Sequence, residues 1–113
     1  MLSNEQIQQK WEEIVLDLSA KFADGDTIGI DSIMYLIGIQ ELGKGAQEFS
    51  KDDKLNLMHI AVCKLLEPFD YYEFSHRDSD GWPHYNLLKE LPNLNTSAQT
   101  LLMKEAIIEY FSL

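Results

Sequence analysis

The sequence predicts a mainly α fold: a four-helix domain with a β-hairpin or extended aromatic arm between helices three and four. Two observations predict it. Four stretches repeat apolar residues at helical spacing behind a capping residue. Between the third and fourth, Tyr71-Tyr72-Glu73-Phe74-Ser75-His76 changes to the aromatic enrichment of a strand, and Asp78-Ser79-Asp80-Gly81 supplies a turn behind it. A length of 113 residues fits one domain with one core, so residues 1–113 are expected to form a single domain.

The first helix is expected from about Ser3 to Phe22. Ser3 with Gln6 three positions on forms a capping box, and Ile7, Trp11, Ile14, Val15, Leu18 and Phe22 make its apolar stripe. Ala23-Asp24-Gly25-Asp26 has the turn chemistry to end it. Asp31 is the expected cap of a second helix, from about Ser32 to Leu42, stopped by Gly43 and Gly45. Apolar residues surround that helix, which marks it for burial, and Gly38 inside it is tolerable where a neighbouring helix crosses closely.

Ser50 with Asp53 opens a third helix that Pro68 closes, with Leu55, Met58, Ala61, Val62, Leu65 and Leu66 as its expected core stripe. The hairpin register places His76 opposite His84 and Asp78 opposite Trp82, and Pro83 suits an edge strand. A partly helical Tyr85 to Leu91 is the competing reading. Thr96 with Gln99 then caps a last helix to about Phe111.

Charge narrows the function. The 9 basic residues against 19 acidic ones leave a net charge of -10, and Arg77 is the single arginine. Nucleic acid and anionic membrane surfaces both require a cationic footprint, so neither is expected as a partner. A winged-helix order of elements is present, but Lys51 and Lys54 are offset by Asp52 and Asp53 on the helix that would read DNA. The single cysteine, Cys63, excludes an intramolecular disulfide and a CxxC site. No basic segment followed by an apolar one opens the chain, and the longest apolar run, Ile33 to Ile39, is too short for a membrane helix; a cytoplasmic protein is expected.

The stretches YLIGIQELGKG from Tyr35, LMHIAVCKLLEP from Leu57 and DGWPHYNLLKELP from Asp80 resemble a family of short, acidic, uncharacterised bacterial proteins of the Bacteroidetes type. The resemblance spans about Trp11 to Phe111. It implies a bacterial cytoplasmic origin, brings no activity with it, and transfers no functional residue.

Several constellations could carry chemistry. His76, Asp78, Asp80 and His84 gather two imidazoles and two carboxylates within nine positions, the donor types of an open zinc, nickel or iron site. A plain solvated turn explains the same residues and is preferred, so no metal and no cofactor are expected. Neither that turn nor the Asp24 to Gly29 loop fits a calcium loop, because Leu87 and Tyr35 fall where a bidentate glutamate belongs. Asp31-Ser32-Ile33 looks like the attachment sequence of acyl carrier proteins, with Ser32 the modified residue, but an N-cap explains it too. His59 and Cys63, at i and i+4, could pair as base and thiol. No catalytic triad order, P-loop or GxGxxG is present, and no catalytic residue is assigned.

The preferred reading is a non-catalytic protein-interaction or regulatory module for a partner of basic character. Tyr72, Phe74, Trp82 and Tyr85 supply interface-type aromatics on the arm, although folding of the arm onto the helices explains the same residues. A metal-binding protein or metal-dependent enzyme using the His76 to His84 turn is the alternative, and a carrier-like protein a further one. Leu101 and Ile108, one heptad apart across the Glu105 and Glu109 strip, also suggest a homodimer through the last helix.

Overall fold

The computed structural model describes every residue except Met1, Gly25, Ala46 and Leu113. Among the described residues, four α-helices and a two-stranded antiparallel hairpin between the third and fourth form the main elements, and the chain divides into two compact units. One holds residues Met1–Gly29 with Pro92–Leu113, and the other holds Ile30–Leu91.

In the first unit, α1 (Asn4–Phe22) opens on the capping box expected of Ser3 and Gln6, with both reciprocal bonds present at 2.8 and 3.1 Å. It packs on α4 (Thr96–Phe111). Ile7, Trp11 and Leu18 of the expected stripe are buried, as are Ala106, Ile107 and Ile108 of α4. Phe22 departs from expectation and is exposed, since it ends its helix where the next turn no longer continues. The buried Ser19 hydroxyl accepts the Ile28 N–H at 2.9 Å, returning the chain onto α1 after the turn. The Gly25 part of that turn lies outside the described residues. Asn95 rather than Thr96 caps α4, its side chain accepting the Ala98 N–H at 2.8 Å.

The second unit carries the hairpin. Its first helix, α2 (Ile30–Leu42), starts earlier than expected, so Asp31 sits inside the first turn instead of capping it. There its carboxylate still favours the positive end of the helix. Ile33 and Ile37 are wholly enclosed. The partner helix, α3 (Lys51–Leu66), is capped by Ser50, whose hydroxyl accepts the Asp53 N–H as its spacing indicated. Gly38 of α2 lies directly on the Leu57 backbone of α3, the close crossing that its glycine permits.

That crossing also corrects the expected α3 stripe. Ala61, Leu65 and Leu66 are buried as expected, but Leu57, Ile60 and Cys63 are buried too, while Leu55 is 63% exposed. Leu57 and Ile60 join Leu42 in a core cluster against which Trp82 and Tyr85 of the hairpin pack.

Pro68 does close α3, through a 3₁₀ turn over Glu67–Phe69. The arm is a hairpin, not a helix: β1 (Tyr72–Arg77) pairs with β2 (Pro83–Leu87), with His76 opposite His84 and a bulge between Phe74 and His76. Asp78 and Trp82 close the tip, the Asp78 N–H donating to the Trp82 carbonyl at 2.9 Å. The Gly81 N–H then reaches back to the Asp78 carbonyl, which needs the left-handed φ of +85° that glycine supplies.

A candidate binding cleft between helix three and the hairpin

Two residue groups that lie apart in sequence meet in one cleft. Asn56, His59, Ile60 and Cys63 come from one side of α3, and Asp78, Trp82, Pro83, His84 and Tyr85 from the hairpin tip and β2. Together they enclose about 250 Å³. Helical periodicity brings Asn56, His59, Ile60 and Cys63 to one face at spacings of three and four. The hairpin is held over them by Trp82 and Tyr85, and Tyr72 sets its ring edge-on to His59 at 6.4 Å.

Asp78 organises the tip. Its Oδ1 accepts the N–H groups of Asp80 at 2.9 Å and Trp82 at 3.0 Å, and its Oδ2 meets His84 Nε2 at 2.9 Å. The His84 hydrogen bond first, then those backbone donors, hold the Asp78 carboxyl below its ordinary value, so it is the ionised acceptor and His84 Nε2 the donor. His84 Nδ1 is left as an acceptor or a second donor. The His76 ring stacks on the His84 ring at 4.9 Å, and its Nδ1 shares a hydrogen with the Ser75 hydroxyl at 2.8 Å.

Across the cleft, Cys63 Sγ lies 3.5 Å from His59 Nε2. The pair expected from i, i+4 spacing is therefore formed, but its chemistry is not that of an activated nucleophile. Burial pushes the Cys63 thiol up to about 11, so the protonated thiol prevails at neutral pH. Burial first, then the Glu41 and Glu67 carboxylates, pushes the Tyr85 phenol up to about 12. The arrangement offers a set of hydrogen-bonding groups and aromatic side chains around one carboxylate.

Of the four residues of the turn constellation, the structure brings Asp78 and His84 into contact and stacks His76 on His84. Asp80 instead turns its backbone carbonyl to the Lys44 ammonium. Among the described residues, no three His, Cys, Asp or Glu side chains converge in the manner a metal ion requires. Ser32 is exposed on the first turn of α2, beside a shallow groove of about 370 Å³ that Tyr35, Leu55 and Met58 also line. Of the arm aromatics, Phe74 is the most exposed, while Tyr72, Trp82 and Tyr85 are half-buried. Leu101 is 38% exposed but Ile108 only 5%, so the two do not form an exposed strip on α4.

Arg77, notable in the sequence only as the single arginine, has a structural part that sequence reasoning did not assign. Its guanidinium donates to the carbonyls of Glu41 at 2.8 Å and Leu42 at 3.1 Å, at the end of α2, and to that of Gly81 at 2.8 Å. It ties the hairpin tip to α2 by satisfying carbonyls the helix leaves open. The signal available was its solitude: a lone arginine beside a turn in an acidic chain. No described helix is long and apolar enough to cross a membrane. Compared with family models, curated proteins and solved structures, the chain matches none of them significantly.

Proposed function

We propose that this chain is a cytoplasmic, non-catalytic protein-interaction module that engages a basic partner through its hairpin arm. One observation carries the reading. Phe74 and Leu87, diagonal to one another on one face of the hairpin, are 47% and 55% exposed on a paired strand element. Leu88 and Leu91, beyond the end of β2, are exposed as well. Large apolar side chains held in a fixed array on a rigid element are what interface cores are made of, and their ordering entropy is already spent. The net charge of -10 selects for a basic partner through steering and complementarity. The cleft chemistry supports a binding role, because the Cys63 thiol is held protonated and the Asp78 carboxylate is fixed in place by the turn. Kinship with short acidic bacterial proteins belongs to the same proposal and adds no activity to it.

The test compares the intact protein with Phe74→Ser/Leu87→Ser, both immobilised and exposed to lysate of the source organism. The proposal expects a defined partner retained by the first, lost from the second, and released by salt. Near-UV circular dichroism checks that the variant keeps the Trp82 environment. Equal retention by both proteins overturns it, as does stoichiometric zinc, nickel or iron in the native protein.

A further inference from the structure

We infer that the cleft between α3 and the hairpin seats an arginine side chain of the basic partner, its guanidinium lying against the Trp82 and Tyr85 rings and bonded to Asp78. The inference rests on the reading above and names the chemistry of the partner's anchor. Four features of the cleft lead to it.

The first is charge. Asp78 is the one carboxylate in the lining, which among the described residues holds no lysine or arginine. A carboxylate offers about four lone-pair positions. Asp80 and Trp82 occupy two on Oδ1 and His84 one on Oδ2, which leaves one on Oδ2 for an incoming donor. Around Tyr85, the Glu41 and Glu67 carboxylates outweigh the Arg77 guanidinium in their action on the phenol.

The second is surface type. Trp82 and Tyr85 line the cleft, and a planar, weakly hydrated guanidinium is the cation best suited to pair with aromatic rings while donating in its own plane. Asn56 on the helical wall supplies a further carbonyl acceptor. A lysine ammonium can also sit over a ring, as Lys89 does over Tyr71, but it lacks the plane that stacks on a ring while donating at its edge.

The third is size. About 250 Å³ falls below the roughly 300 to 1,000 Å³ typical of a cofactor or drug-sized ligand, and suits a single long side chain. The fourth is continuity. The Phe74 ring stands edge-on to Tyr85 at 5.8 Å, so Tyr85 belongs both to the cleft and to the exposed apolar array. A partner covering Phe74 and Leu87 is thereby placed to insert a side chain past Tyr85, the arrangement of a buried anchor beside an apolar patch.

The experiment titrates the full chain with N-acetyl-arginine amide and with its neutral isostere, N-acetyl-citrulline amide, while NMR follows the Trp82 indole and the His59 and His84 rings. The arginine compound is expected to shift those signals saturably and the citrulline compound to leave them in place. Asp78→Asn keeps an oxygen for the turn donors and should weaken binding roughly fivefold, the scale of a half-exposed ion pair. Asn56→Asp, placed on the helix away from the turn, should strengthen it by a similar factor. Equal shifts by both compounds, shifts confined to the Trp11 indole, or an affinity unmoved by Asn56→Asp overturn the inference. Leu87→Ser, at a residue outside the cleft lining, separates the two ideas: it should leave arginine binding intact while weakening partner capture. If the arginine compound fails to bind while capture still depends on Phe74 and Leu87, the anchor falls and the interaction module stands.

Discussion

Replacing Gly38 by alanine should destabilise the protein, although alanine is the better helix former. At an interior helical position that change alone would gain about 1 kcal/mol. Here the new methyl would stand 2.8 Å from the Leu57 carbonyl carbon and 3.0 Å from Leu57 Cβ, and nearer still to the carbonyl oxygen. Those are backbone and Cβ positions of a helix whose Leu57 side chain is fully buried, so no rotamer change can clear them. The α2–α3 pair must separate, which loosens the packing around the fully enclosed Ile33 and Ile37. Overpacking of this kind costs on the order of 3 kcal/mol, the upper part of its usual range, giving a net loss of about 2 kcal/mol. Urea unfolding monitored by far-UV circular dichroism measures it directly, as a lower midpoint at unchanged slope. A midpoint equal to or above that of the unaltered protein would refute the close crossing, and with it the account of why Leu57 is buried.

Arg77→Met should lose about 2 kcal/mol, since its charge-assisted bonds to three carbonyls vanish and the end of α2 is left open; Arg77→Lys should recover only part in the same urea assay, because an ammonium cannot span those acceptors. Cys63 should alkylate slowly: a thiol raised from 9.0 to about 11 has roughly a hundredfold fewer thiolates near neutral pH, so iodoacetamide labelling at pH 8 should accelerate at least that much in urea. The Asp78 carboxyl lies below its ordinary 3.8 in the folded chain, so its contribution to the turn is fully present above that value and is lost as pH falls through the depressed one. An acid titration following the Trp82 and His84 NMR signals should show that step, and Asp78→Asn should remove it.

Most local features were legible in the sequence because they depend on atoms a few residues apart. Ser3 with Gln6 and Ser50 with Asp53 cap as their spacing required, and the Asp78 to Gly81 turn sets His76 opposite His84. Where such reading slipped, it slipped by one or two residues, at Asp31 and at Thr96. Competing polar residues next to a helix start can each accept the same orphan N–H groups, and only the chain's entry direction selects between Thr96 and Asn95.

The cleft was not legible as such, though its parts were. The His59 and Cys63 pair followed from local spacing, and Asp78 and His84 were gathered in one turn; the meeting of the two groups depends on where the hairpin folds back, which no short-range pattern encodes. The buried face of α3 shows the same division. Leu55, Leu57, Met58, Ile60, Ala61, Val62, Leu65 and Leu66 occupy so much of that helix that periodicity alone permits more than one core stripe. Sequence determined that α3 is a helix and where it starts and stops. The choice of Leu57 and Ile60 over Leu55 belongs to the tertiary structure, because the missing side chain of Gly38 lets α2 approach at Leu57, and the face nearest that crossing is the one water leaves.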